Sequence, residues 1–116
     1  MDFELSEEQR MLKESVERLL KDRYSFEQRK TYTRAVDGWS RELWQQYAAL
    51  GLLVVPFPVE YGDFGGGPVE NMIVMEAFGK ALVLEPYFAT VILFGGAVRL
   101  AGSQSQKAAL LPMVAD

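Results

Sequence analysis

Residues 6–23 read SEEQRMLKESVERLLKDR. Ser6, followed three positions later by Gln9, has the form of a capping box, in which each side chain satisfies a backbone N–H that the helix start leaves open. Glu7 and Glu8 place negative charge where the helix dipole is positive. Behind the box, Leu12, Val16, Leu19 and Arg23 follow at steps of four, three and four, and Leu20 widens that stripe. This is one face of a 3.6-residue period, and it predicts a helix from Glu7 to Tyr24 with one side buried.

The same signals recur along the chain. Ser40 is suited to cap a second helix carrying Leu43, Trp44, Tyr47 and Leu50, and Gly51 follows where a helix often ends. Pro68 is suited to a first helical position, and Val69 to Leu82 is apolar nearly all round, interrupted only by Glu70, Asn71, Glu76 and Lys80. Glu76 and Lys80 are spaced to pair across one turn. After the break at Leu84-Glu85-Pro86, Phe88 to Ala101 predicts a fourth, largely buried helix that ends at Gly102. Gly95-Gly96 inside it carries a helix cost of about 1 kcal/mol per glycine, which points to close approach by a neighbouring backbone or ligand. Ser103-Gln104-Ser105-Gln106 repeats the capping-box form and starts a short helix ending near Leu111-Pro112.

The segments between are weaker. Ser25 to Gly38 has no clean period and reads as a loop or short irregular helix, with Phe26 and Tyr32 as isolated anchors. Leu52 to Phe57, with Pro56 and Pro58, reads as an extended segment packed on helices. Glu60 to Gly67 is a glycine-rich turn. The expected fold is all-α: a small bundle of about five helices, without a sheet, in one domain over residues 1–116.

Composition limits the chemistry. The chain has 116 residues, no cysteine and no histidine. Disulfides, thiol nucleophiles, cysteine zinc sites and Ser-His-Asp triads are therefore excluded. The net charge is −4, and the basic residues from Arg23 to Arg34 are interrupted by Phe26, Glu27 and two tyrosines, so nucleic acid is not an expected partner. Phe88 to Ala101 is the most apolar run and is shorter than the roughly 20 residues a membrane span needs. The first residues lack a basic leader and an apolar stretch, and five methionines without cysteine fit an intracellular, cytoplasmic protein.

Individual residues point to no reaction. The glycine turn lacks the preceding strand of a dinucleotide site, so a tight turn is the simpler reading. Glu60 and Asp63 have no visible pocket to separate their pKa values and read as a solvated loop. Met72 and Met75 read as packing. Tyr61, Phe64, Tyr87 and Phe88 flank the breaks around the central helix, as pocket-lining aromatics do, with core packing the default.

The order of motifs adds a resemblance. Phe3 to Gln9, Trp44 to Leu50 with Gly51-Leu52, Pro58-Val59-Glu60-Tyr61-Gly62 with Phe64-Gly65, Met75-Glu76-Ala77-Phe78-Gly79-Lys80, and Gly102 to Lys107 with Leu111-Pro112 together resemble the N-terminal domain of the acyl-CoA dehydrogenases. Asp63 departs from the glycine usual at its place. Ser25 to Arg29 and Leu82 to Tyr87 are similar to a branch of that family, the small subunits of pimeloyl-CoA dehydrogenases.

The resemblance covers nearly the whole chain and implies a parent of three parts: this helical domain, a middle β domain and a C-terminal helical domain. FAD is expected between the last two, and the catalytic glutamate in the last. No catalytic, flavin-binding or metal residue is therefore expected here, and this chain alone should be inactive and retain no FAD. It ends at Val114-Ala115-Asp116, where the middle domain would begin. The implied parent oxidises an acyl-CoA at the α,β bond in fatty acid metabolism, passes electrons to an electron-transfer flavoprotein or similar acceptor, and forms a homo- or hetero-oligomer. The implied substrate-facing residues are Ala89, Thr90 and Leu93, on one wall of the acyl pocket, with Glu85 at its entrance. Two alternatives are a structural subunit of a heteromeric dehydrogenase that has lost its glutamate, and a non-enzymatic helical module binding an acyl chain or a protein.

Overall fold

The capping boxes lie where the sequence places them. In a computed structural model describing residues 3–58 and 66–115, the Ser6 hydroxyl accepts from the Gln9 N–H at 3.2 Å, and the Gln9 side chain accepts from the Ser6 N–H at 2.9 Å. Helix α1 follows (Glu7–Arg23), then α2 (Phe26–Thr33), α3 (Arg41–Ala49), a 3-10 turn (Leu52–Val54) and α4 (Pro68–Ala81). A π-helical segment (Phe88–Phe94) leads directly into α5 (Gly95–Ala101), and α6 (Gln104–Ala115) ends the described chain. No strand occurs among the described residues, and the fold is all-α. No helix among them is long and apolar enough to cross a membrane.

The core follows the predicted stripes. Val16 and Leu20 of α1 pack on α4, which contributes Ile73, Val74, Ala77 and Phe78. Leu43 and Tyr47 of α3 meet the 3-10 turn, where Leu52, Leu53 and Val54 are all buried. An aromatic chain runs through the centre: Tyr47 lies 5.0 Å from Phe78, centroid to centroid, and Phe78 lies 4.9 Å from Tyr87, edge to face. Such pairs add about 1 kcal/mol each beyond area burial.

Four expectations need correction. Ser25 to Thr33 is a regular helix with its own capping box: the Ser25 hydroxyl accepts from the Gln28 N–H, and Gln28 reaches back to the Ser25 N–H. The box substitutes for an apolar period that the segment lacks. Of its anchors, Tyr32 packs against Tyr24, whereas Phe26 is exposed. Leu52–Val54 coils as a 3-10 turn instead of running extended, because Gly51 takes a left-handed φ of 75° and the chain turns at once. The last helix continues past Pro112 to Ala115.

The fourth correction concerns Phe88–Ala101. Only Val91, Gly95 and Val98 of this run are buried, while Phe88, Leu93, Phe94 and Leu100 are exposed. The described structure measures 43 × 40 × 20 Å. Twenty ångströms is about two helix diameters, so each layer of helices turns one face to solvent. An apolar rod in so flat a body must present an apolar outer face.

Helices α1 and α4 are also tied at their starts. The Glu70 carboxylate accepts from the Gly67 N–H at 2.8 Å and from the Gln9 side-chain amide at 3.1 Å. The bond from Gln9 and then that from Gly67 hold this carboxyl below its ordinary value of 4.5. A lowered folded pKa contributes stability that is full above the unfolded value and lost as pH falls through the folded one. Glu70→Gln is therefore expected to cost about 1 kcal/mol at pH 7, with thermal melts of the two proteins converging as pH falls through the lowered folded value. A melting-temperature gap that persists unchanged into acid contradicts this linkage.

Candidate functional site

The break between α4 and the π segment is built around one carboxylate. Helix α4 ends at Leu82, whose φ of 55° is left-handed and costs a residue with a Cβ about 1 kcal/mol. The Val83 N–H bonds the Phe78 carbonyl at 3.0 Å, and Arg29 of α2 donates to the Leu82 carbonyl at 2.7 Å, which holds the turn. The chain then dives inward, and Glu85 is only 5% exposed.

Glu85 accepts three hydrogen bonds there. Tyr47 Oη donates to Oε1 at 2.8 Å; the Ser40 N–H and Tyr24 Oη donate to Oε2 at 2.9 and 3.2 Å. Tyr24 Oη in turn accepts from the Leu84 N–H at 2.8 Å. Burial first, and then the Glu85 carboxylate, push the Tyr47 hydroxyl far above the usual phenol range. Burial also raises Tyr24, against the Leu84 bond. Both tyrosines therefore remain protonated donors at any physiological pH. On the other side of Pro86, Tyr87 Oη donates to the Leu52 carbonyl at 2.8 Å.

Beside this cluster a cavity of about 280 Å³ is lined by Met75, Phe78, Gly79, Leu82, Val83, Glu85, Tyr87 and Phe88. Glu85 thus borders a groove, with its carboxylate oxygens occupied from within. The π segment begins next. The Gly95 N–H reaches back five residues to the Thr90 carbonyl, and the widened turn keeps residues four and five apart on one side. Phe88, Ala89, Leu93 and Phe94 consequently share the exposed side, Thr90 is half-buried beside them, and Val91 points into the core. The structure brings Ala89 and Leu93 onto one outward surface with Thr90 at its edge, and sets Glu85 beneath its start.

Sequence reasoning missed Tyr24, Ser40 and Tyr47 as partners of Glu85. The available signal was physical: tyrosines on the apolar stripes of α1 and α3 need acceptors when buried, and Glu85 is the acid inside an apolar break. Glu60, Tyr61, Asp63 and Phe64 lie outside the described residues. A larger cavity of about 570 Å³ shares no lining residue with the groove at Glu85. It is bordered by Glu8, Met11, Leu12, Leu50, Leu52 and Glu70. Its two carboxylates make it a poor host for phosphate.

Five helix N-termini carry side-chain caps, from Ser6, Ser25, Ser40, Glu70 and Ser103, whereas the start of the Phe88–Phe94 segment at Tyr87 has none. The described residues hold no group of three or more acids able to bind a metal. What the arrangement offers is an apolar surface on a pinned helical rod.

The profile described as "Acyl-CoA dehydrogenase, N-terminal domain" matches residues 6–116. The chain belongs to the acyl-CoA dehydrogenase family. Within it, the chain is 35% identical to the mitochondrial isovaleryl-CoA dehydrogenase of Pongo abelii over 77 residues, which is 66% of this chain and 18% of that one. It is 30% identical to the probable acyl-CoA dehydrogenase YngJ of Bacillus subtilis, covering 92% of this chain and 28% of YngJ. Among solved structures, the ChsE4-ChsE5 complex of Mycobacterium tuberculosis contains a chain that superposes with a TM-score of 0.88 at 26% identity, covering 99% of this chain and 32% of that one. The chain therefore spans less than a third of the length of these family members.

Proposed function

We propose that residues 1–116 form the N-terminal helical domain of a flavin-dependent acyl-CoA dehydrogenase. In the parent, the outward side of the Phe88–Phe94 segment lies against the acyl chain through Ala89, Thr90 and Leu93. The observation that carries this reading is the exposed apolar side itself. Phe88, Leu93 and Phe94 are 50%, 55% and 45% exposed on a rod whose opposite side is core. An apolar patch of this kind marks a surface that another molecule or chain segment covers.

The chain's own contribution is then binding and dehydration. An apolar wall removes water from the acyl tail and leaves the thioester end to residues elsewhere in the parent. FAD, when bound by the parent, supplies the hydride acceptor for the β-hydrogen. An acyl-CoA substrate, an electron-transfer flavoprotein or similar acceptor, and a cytoplasmic setting in fatty acid metabolism complete the reading. Supporting α,β chemistry, the acryloyl-CoA reductase (NADH) of Anaerotignum propionicum is 28% identical over 97% of this chain. Its named substrate carries a double bond at that position.

Substituting Ala89→Phe or Thr90→Trp in the full-length parent tests the wall. For long or branched acyl thioesters kcat/KM should fall about tenfold, with less than a twofold change for short ones. An equal loss for every substrate, with a lowered melting temperature, overturns it and makes the surface a packing face.

A second reading is a subunit domain in a heteromeric dehydrogenase, alongside the likeness to the pimeloyl-CoA branch. It is favoured by the superposition on a member of a two-component complex. Mass measurement of the co-expressed parent decides between one and two kinds of chain. A second kind of chain in the complex supports the heteromer, and a single kind excludes it.

A further inference from the structure

Glu85 poses an energetic problem. It is a carboxylate 5% exposed, and among the described residues no cation pairs with it. Placing such a group in a core costs stability, and apolar residues of similar volume are often as stable or more so. The geometry shows what the carboxylate does instead. A carboxylate only accepts, and its two oxygens here take three donors from separate places: the end of α1 (Tyr24), the N-cap of α3 (Ser40) and the body of α3 (Tyr47). A glutamine has one accepting oxygen, so it can accept from two of the three donors at most and must turn an N–H toward the third. On the far side of Pro86, the bond from Tyr87 to the Leu52 carbonyl is a second anchor. Phe88, the first π-helical residue, comes directly after.

We infer that Glu85 is a positioning residue, which fixes the register of the Phe88–Phe94 segment against α1 and α3 and so fixes the shape of the wall carrying Ala89, Thr90 and Leu93. The inference rests on the acyl-wall reading and adds a residue whose carboxylate is turned away from that wall. Ala89 is four residues from Glu85, so a rotation at the anchor is carried to the wall with little chain to absorb it. A small misplacement of a binding surface, even one caused far from the reacting atoms, is enough to change rates by an order of magnitude or more.

The test compares Glu85→Gln, Tyr47→Phe and Tyr24→Phe in the full-length parent, assayed well below each variant's melting temperature with a series of acyl-CoA chain lengths. The expected result is a change of about fivefold in the ratio of kcat/KM for long against short substrates, in the same direction for all three. Tyr24→Phe, which removes the longest of the three bonds, serves if Glu85→Gln does not fold. A uniform loss across chain lengths in these variants, while Ala89→Phe still discriminates, overturns the positioning role and leaves the wall intact. If Ala89→Phe also fails to discriminate, the wall reading itself fails, and the role of Glu85 fails with it.

Discussion

Gly95→Ala is expected to destabilise this domain by about 2 kcal/mol, although alanine is the better helix former. A Cβ at Gly95 would stand 2.5 Å from the ring of Phe57, which is fully buried. The ring cannot retreat, because the core around it is closed. Next to it, Gly96 has nothing within 4 Å of the same hypothetical atom, so Gly96→Ala should be neutral or stabilising by up to about 1 kcal/mol. Phe57→Ala opens a cavity and should cost about 4 kcal/mol. The two losses should not add. In the Phe57→Ala background the alanine at position 95 has room, and its cost should vanish or change sign. Urea unfolding of the four proteins of the cycle measures the coupling. Additive losses would mean that the ring and the glycine do not share the space the structure gives them.

The second large effect belongs to the buried carboxylate. Glu85→Ala leaves the hydroxyls of Tyr24 and Tyr47 and the N–H of Ser40 without their acceptor, and should cost about 4 kcal/mol. Tyr47→Phe removes one donor and leaves two, and should cost about 2 kcal/mol. The double change Tyr47→Phe with Glu85→Leu should cost less than the sum of its parts, because two apolar groups then face each other. Thermal melts of the single and double variants check this. A Glu85→Ala protein as stable as the parent sequence would show that the three bonds carry no net stability.

How much was legible in advance differs by element. The starts of α1, α3, α4 and α6 are local chemistry: a serine at the cap or a proline at the first helical position needs nothing from the rest of the chain. The same rule predicts α2 from Ser25 and Gln28, and the absence of an apolar stripe masked it. The stripe Leu12, Val16, Leu19, Leu20 named a buried side because burial there is periodic.

Ala89, Thr90 and Leu93 came from the resemblance. Sequence alone could not say which side of Phe88–Ala101 faces out, because an apolar rod carries no contrast between its sides. The flatness of the packing decides that, together with the widened π turn that gathers Phe88, Ala89, Leu93 and Phe94. Gly95 and Gly96 read alike in sequence, and only the position of the Phe57 ring separates them. Glu85 read from the residues as part of a break, and from the resemblance as the entrance to the acyl pocket. That its oxygens turn inward was decided by three donors between 38 and 61 residues away, which only the tertiary fold brings together.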